Sequence, residues 1–190
     1  MQTWLIAVIV VVAVLVVAAV GMWLWNRRQR SERLAERFGP EYRTTVESTG
    51  DREAAERDLE ARTKRVRKLE IVELSPQQRA AYAQDWRATQ ERFVDDPAGS
   101  ISNADRLVQE VMQARGYPTA EFEQRAADVS VDHPGVVADY RAAHAIAERH
   151  ATSGAETEEL RQALVHYRSL FADLLGTTAN ERELSRGGTR

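Results

Sequence analysis

The chain has 190 residues, of which 43% are hydrophobic and 29% charged, with a formal net charge of −3. That length allows one domain with appendages, and the mildly acidic balance excludes a globally basic nucleic-acid binder. With no cysteine, a disulfide framework, a thiolate metal site and a cysteine nucleophile are all excluded.

The first element is WLIAVIVVVAVLVVAAVGMWLW, residues 4–25, which holds no charged side chain. As a helix it rises roughly 33 Å, enough for a hydrocarbon core of about 30 Å. Trp4 lies at one end and Trp23 and Trp25 at the other, where indoles favour the headgroup layer. A cleaved signal would need a basic start, a shorter apolar core and a small-residue cleavage site, and none is present. The expectation is a retained transmembrane helix in the lipid bilayer. The run NRRQR, with Arg27 and Arg28, follows it directly and only residues 1–3 precede it. Positive charge stays inside, so residues 1–3 are expected outside and the remainder in the cytoplasm, at a bacterial inner membrane.

Residues 26–50 read as an Arg-rich neck, with an amphiphilic helix over 27–38 and a short one over 40–49. Asp51 then caps a charged helix, 52–69, with a narrow apolar seam (Ala55, Leu59, Val66, Leu69) interrupted by Arg62. Glu53–Arg57, Asp58–Arg62 and Glu60–Lys64 stand at the spacing of stabilising helical ion pairs. Within it RTKRVRK carries Arg62, Lys64, Arg65, Arg67 and Lys68. No aromatic interleaves this run, so nucleic acid is not expected. A solvated face, or a surface for an acidic protein or lipid, fits it.

KLEIVEL reads as an extended connector. Helices are then expected over 76–94, 97–115, 118–130, 134–151 and 156–175. Every proline in the chain, in 39-GPEY, 75-SPQQ, 96-DPAG, 117-YPTA and 133-HPGV, reads as a helix start. Ser75 with Gln78 fits a capping box. Apolar residues recur at helical spacing, most clearly Leu160, Leu164, Tyr167, Leu170, Phe171 and Leu174. Residues 177–190 read as a disordered tail. The class is all-α: a transmembrane helix, a charged helical neck and a four- to five-helix bundle within 51–176.

The densest chemistry is 128-DVSVDHPGVVADYRAAH-144. Asp132 and His133 precede Pro134 and read as a helix joint, ending one helix and capping the next. Tyr140 and His144 share one edge of a buried face, while Asp139 falls on the opposite flank. The helix itself is therefore not expected to present His144 and a carboxylate together as metal ligands. Tyr117, before Pro118, reads as an exposed aromatic. No catalytic motif appears, and no cofactor or metal is expected.

The phrases 37-RFGPEYRTTVE-47, 92-RFVDDPAGSI-101, 105-DRLVQEVMQARGYP-118 and 124-QRAADVSVDHPGVVADYRAAH-144 resemble a family of uncharacterised bacterial proteins. Those proteins have one N-terminal membrane span and a helical C-terminal region. The resemblance implies membrane placement and carries no catalytic residue.

The reading that follows is a membrane-tethered adaptor or scaffold domain without catalysis, acting on a protein partner or on itself. Its contact faces would be helix 52–69 and the surface from Tyr117 to His144. The alternatives are a ligand-binding or enzymatic domain using Asp132, His133, Tyr140 and His144, or a self-associating structural membrane protein.

Overall fold

The computed structural model describes residues 2–176, with side chains from Leu15 onward. Among the described residues there are helices and no strand: α1 (Gln2–Phe38), α2 (Pro40–Thr49), α3 (Arg52–Val66), α4 (Pro76–Arg92), α5 (Pro97–Ala114), α6 (Phe122–Val129), α7 (Val137–Ser153) and α8 (Thr157–Leu174). The expected tail 177–190 lies outside the described residues, and so do the side chains of residues 4–14, Trp4 included. Among the described residues no helix is long and apolar enough to cross a membrane.

The punctuation holds for three of the prolines. Pro40, Pro76 and Pro97 occupy first-turn positions, and Asp51, Ser75 and Asp96 accept from the first-turn amides as N-caps should. Ser75 and Gln78 make both bonds of the capping box. Pro118 and Pro134 do not start helices: α6 begins at Phe122 and α7 at Val137. Pro118 follows a tyrosine that turns into the core, and the chain coils only from Phe122. Pro134 sits in a turn that the Val136 amide closes onto the His133 carbonyl at 3.2 Å. Asp132 and His133 therefore cap no helix.

Helices α4, α5, α7 and α8 form the bundle, with α8 lying between α5 and α7. Their apolar stripes meet in one core, which includes Ile101, Val108, Met112, Tyr140, Leu164 and Tyr167. Trp86 stacks on Phe171 with ring centroids 4.5 Å apart.

The neck is not a separate helix. α1 runs unbroken from the apolar segment into the folded domain, where Leu34 and Phe38 join Leu59, Val66 and Val131 in a second, smaller core. α3 lies alongside α1 and runs in the same direction. Arg27 pairs with Glu53 at the start of α3, Ser31 donates to Glu56 at 2.5 Å, and Arg30 meets Glu60 at 2.6 Å. Of the pairs expected within α3, Asp58–Arg62 forms, at 2.6 Å. Glu53 and Glu60 turn to α1 instead, because a neighbouring helix offers them arginines.

Charged groups tie this three-helix unit to the bundle. The Glu41 carboxylate on α2 is buried and accepts from Arg62 on α3 at 2.9 Å. It also accepts two bonds from Arg141 on α7, at 2.6 and 2.9 Å. Arg65 on α3 reaches buried Asp128 on α6 at 2.7 Å. Burial alone would push the Arg141 guanidinium down, but the bond and charge of Glu41 outweigh it and raise it.

Removing Glu41 strands half-buried Arg141 and leaves Arg62 with Asp58 alone, so Glu41→Ala should cost about 3 kcal/mol, the low end for breaking a buried pair. Asp58→Ala, which removes a partner that is half exposed, should cost less than about 1 kcal/mol. Chemical denaturation of the full chain in detergent micelles measures both.

Glu56 gives the fold an acid limit. Burial pushes its carboxyl up, but hydrogen bonds from Ser31, Tyr42 and Arg52, with the Arg52 charge, hold it below the ordinary carboxylate value. A depressed carboxyl stabilises the fold fully above its unfolded value, and that contribution fades as pH falls through the folded one. The denaturation midpoint should therefore drop on the acid side in the native chain. In Glu56→Gln that component of the pH curve should be absent.

Candidate functional site

The site begins where α5 ends. Gly116 takes φ +99°, and a Cβ there would lie 2.3 Å from the Glu70 carbonyl oxygen. Only glycine lets the α3–α4 connector pass that close. The Val72 amide then bonds the Arg115 carbonyl at 2.8 Å, which straps the connector across the end of α5. The same turn sends Tyr117 inward, to 3% exposure. The expectation of an exposed aromatic is thus wrong: the Tyr117 hydroxyl donates to Asp132 at 3.0 Å. Burial first, then the Asp132 charge, pushes that phenol well above the ordinary tyrosine value.

Beside it lies a cleft of about 570 Å³. Its walls come from the α3–α4 connector (Glu73, Leu74), Arg79 of α4, Arg115, the 132–136 turn and the end of α8. His133 is its central polar group, 9% exposed. Nδ1 of His133 lies 2.6 Å from Asp173 Oδ2, and Nε2 lies 2.9 Å from Arg115 Nη1. Arg115 Nη1 also donates to the Leu174 carbonyl at 3.1 Å.

The chemistry of these partners assigns the ring. A guanidinium can only donate, so Nε2 accepts, and Nδ1 carries the proton and donates to Asp173. An aspartate behind a histidine is the orienting half of an acid–base pair. Here the other half is missing, because the nitrogen that would take a proton is already filled by Arg115. The arrangement closes a joint between α5, α8 and the 132–136 turn; it does not present a base.

The other expected site residues go elsewhere. Tyr140 is fully buried, packs against Phe122 and Tyr167, and receives Arg125 at 3.3 Å. His144 stacks on Phe122 with centroids 3.6 Å apart and lies 3.3 Å from Glu148. The carboxylate beside His144 on α7 is thus Glu148, one turn onward, while Asp139 faces away from it. Asp139 binds His166 on α8 at 2.8 Å. The two histidines are held apart: His133 closes onto α8 and His144 onto α6. Among the described residues no three His, Cys, Asp or Glu side chains gather as a metal ion would require.

The basic run on α3 divides by helical period. Arg62 and Arg65 turn inward to Glu41 and Asp128, while Lys64, Arg67 and Lys68 stay exposed. The candidate contact face on that helix is therefore narrower than the run itself.

Sequence reading missed Arg115 and Asp173, which lie 18 residues before His133 and 40 after it. Each sits near a helix end, where a charged residue ordinarily reads as a solvated group facing the helix dipole. No local pattern links them.

Arg115→Met should release His133 Nε2. Diethyl pyrocarbonate should then modify His133 severalfold faster than in the native chain, with half-exposed His166 as the internal reference. Unchanged modification would mean that Arg115 does not cover the ring.

Set against known proteins, the chain matches no family model, no curated protein and no solved structure.

Proposed function

We propose that this chain is a membrane-tethered, non-catalytic helical interaction domain, held against the cytoplasmic face of a bacterial inner membrane by residues 4–25. The observation that carries the reading is the surface of α1. From Leu15 to Trp25 its large apolar side chains are exposed on every side, Val17 at 72% and Trp23 at 59% among them. A helix apolar all round needs an apolar surround, and no other segment among the described residues supplies one. Polarity changes at Asn26 and Arg27, and Arg27 stacks its guanidinium over the Trp23 ring at 5.5 Å.

Two features support tethering without catalysis. The same helix continues without a break into the folded domain, so no linker separates the proposed anchor from the domain. The histidine with an orienting aspartate has its basic nitrogen occupied. Fixing such a domain at the bilayer raises its effective concentration toward membrane-bound partners. A protein partner, or a second copy of the chain, is the class of target.

The full chain should stay with the membrane pellet through alkaline carbonate extraction. Recovery in the supernatant would sink the anchor. A reporter fused after Arg190 should be active in the cytoplasm, and activity confined to the periplasm would reverse the topology. Crosslinking in intact membranes should give one discrete adduct, whereas a ladder with no preferred species would remove the interaction role.

A further inference from the structure

Unpaired positive charge gathers in a groove of about 560 Å³ between α1 and α3. Arg30, Arg33 and Arg37 line it from α1, and Lys64 and Arg67 from α3. Glu60 is the lone carboxylate in the lining, and Arg30 already holds it at 2.6 Å. Arg33, Arg37, Lys64 and Arg67 are exposed, and none has an ion pair among the described residues. Arg33 has Gln29 as its hydrogen-bond partner, at 3.2 Å. Four cations converging on one groove in a chain of net charge −3 are not the average surface of this protein.

We propose that this groove binds the phosphate-bearing headgroup of an anionic phospholipid. The inference rests on the reading of residues 4–25 as the anchor. Its lining begins at Asn26, directly after the apolar sleeve ends. Arg33 lies roughly 10 Å farther along the helix axis. The headgroup layer and the screened field beyond it together extend roughly 15 Å from the hydrocarbon.

Direction completes the fit. Side chains on a helix lean toward its N-terminus. Because α1 and α3 run parallel, both rows of cations lean back toward the bilayer. An antiparallel α3 would have leaned its lysine and arginine away. A phosphate entering the groove meets guanidinium groups able to donate two bonds each, with an ammonium beside them.

The test is lipid titration of the detergent-solubilised full chain by native mass spectrometry. Phosphatidylglycerol is compared with phosphatidylcholine, and glycerol 3-phosphate serves as the free-phosphate arm. The native chain should prefer phosphatidylglycerol by about tenfold or more, given the attraction of several cations to an anionic surface. The variant R33Q/R37Q/K64Q/R67Q should lose that preference. The variant R43Q/R87Q/R92Q/R168Q, which removes the same charge from exposed positions outside the groove, should keep it.

Equal loss in both variants would reduce the effect to diffuse charge and overturn the groove. Preference retained by the groove variant would do the same. Tighter binding of glycerol 3-phosphate than of the lipid would overturn the lipid as occupant. Saturation of the groove by an acidic protein segment, with no lipid preference, would also overturn it. The anchor fails separately: carbonate-extractable chain with a groove-dependent lipid preference sinks the anchor alone, and retained chain without preference sinks the groove alone.

Discussion

The orientation of the whole domain depends on one carboxylate. Glu41 stands where α2, α3 and α7 meet, and it is the counter-charge of half-buried Arg141 and, with Asp58, of Arg62. Taking three charges out of water costs several kcal/mol for each ion, and the attraction repays this only with good geometry. The geometry is good: two parallel bonds to Arg141 and one to Arg62, which keeps Asp58 as a second partner. Such a cluster adds little net stability over an apolar contact of the same size. What it adds is direction, because planar groups bond only when the helices are correctly rotated. The small core of Leu34, Phe38, Leu59, Val66 and Val131 would tolerate sliding; the carboxylate does not.

How much of this was legible in the sequence follows from the range of each interaction. Caps and stripes are local. Asp51, Ser75 and Asp96 are readable because the bonds they make span two or three residues. The stripe from Leu160 to Leu174 is readable because burial on a helix recurs every three to four residues, and all six of its named members are buried. Glu41–Arg141 spans 100 residues and Arg65–Asp128 spans 63. No periodicity announces such pairs, and each residue alone looks like a solvated charge. The same limit hid the partners of His133. Its neighbours in sequence suggested a helix joint, and it does serve as a joint, but one made by side chains from α5 and α8 and not by capping.

Two prolines misled for a physical reason. Proline permits a first-turn position without requiring one. Where the preceding residue has somewhere better to go, the chain follows that residue. Tyr117 gains burial and a hydrogen bond to Asp132 by turning inward, and α6 then starts four residues later than Pro118. His133 gains Asp173 and Arg115 in the same way. Burial of a large side chain is worth about 1.5–3 kcal/mol, more than a helix start is worth.

The basic run on α3 shows how one short sequence can serve two purposes. Positions 62 and 65 lie three apart and share the inner face, while 64 and 67, also three apart, share the outer one. The inner pair fixes α3 to α2 and α6. Because the inner pair is fixed, the outer pair is held beside Arg33 and Arg37 of α1. A groove of like charges is self-repelling, and it persists only where something else holds its walls together. Ser31, Tyr42 and Arg52 around Glu56 hold them on one side, and the Glu41 cluster holds α3 from the other. The internal ion pairs and the open cations are therefore one arrangement: the first confines the second, and the confinement is what turns scattered surface charge into a site.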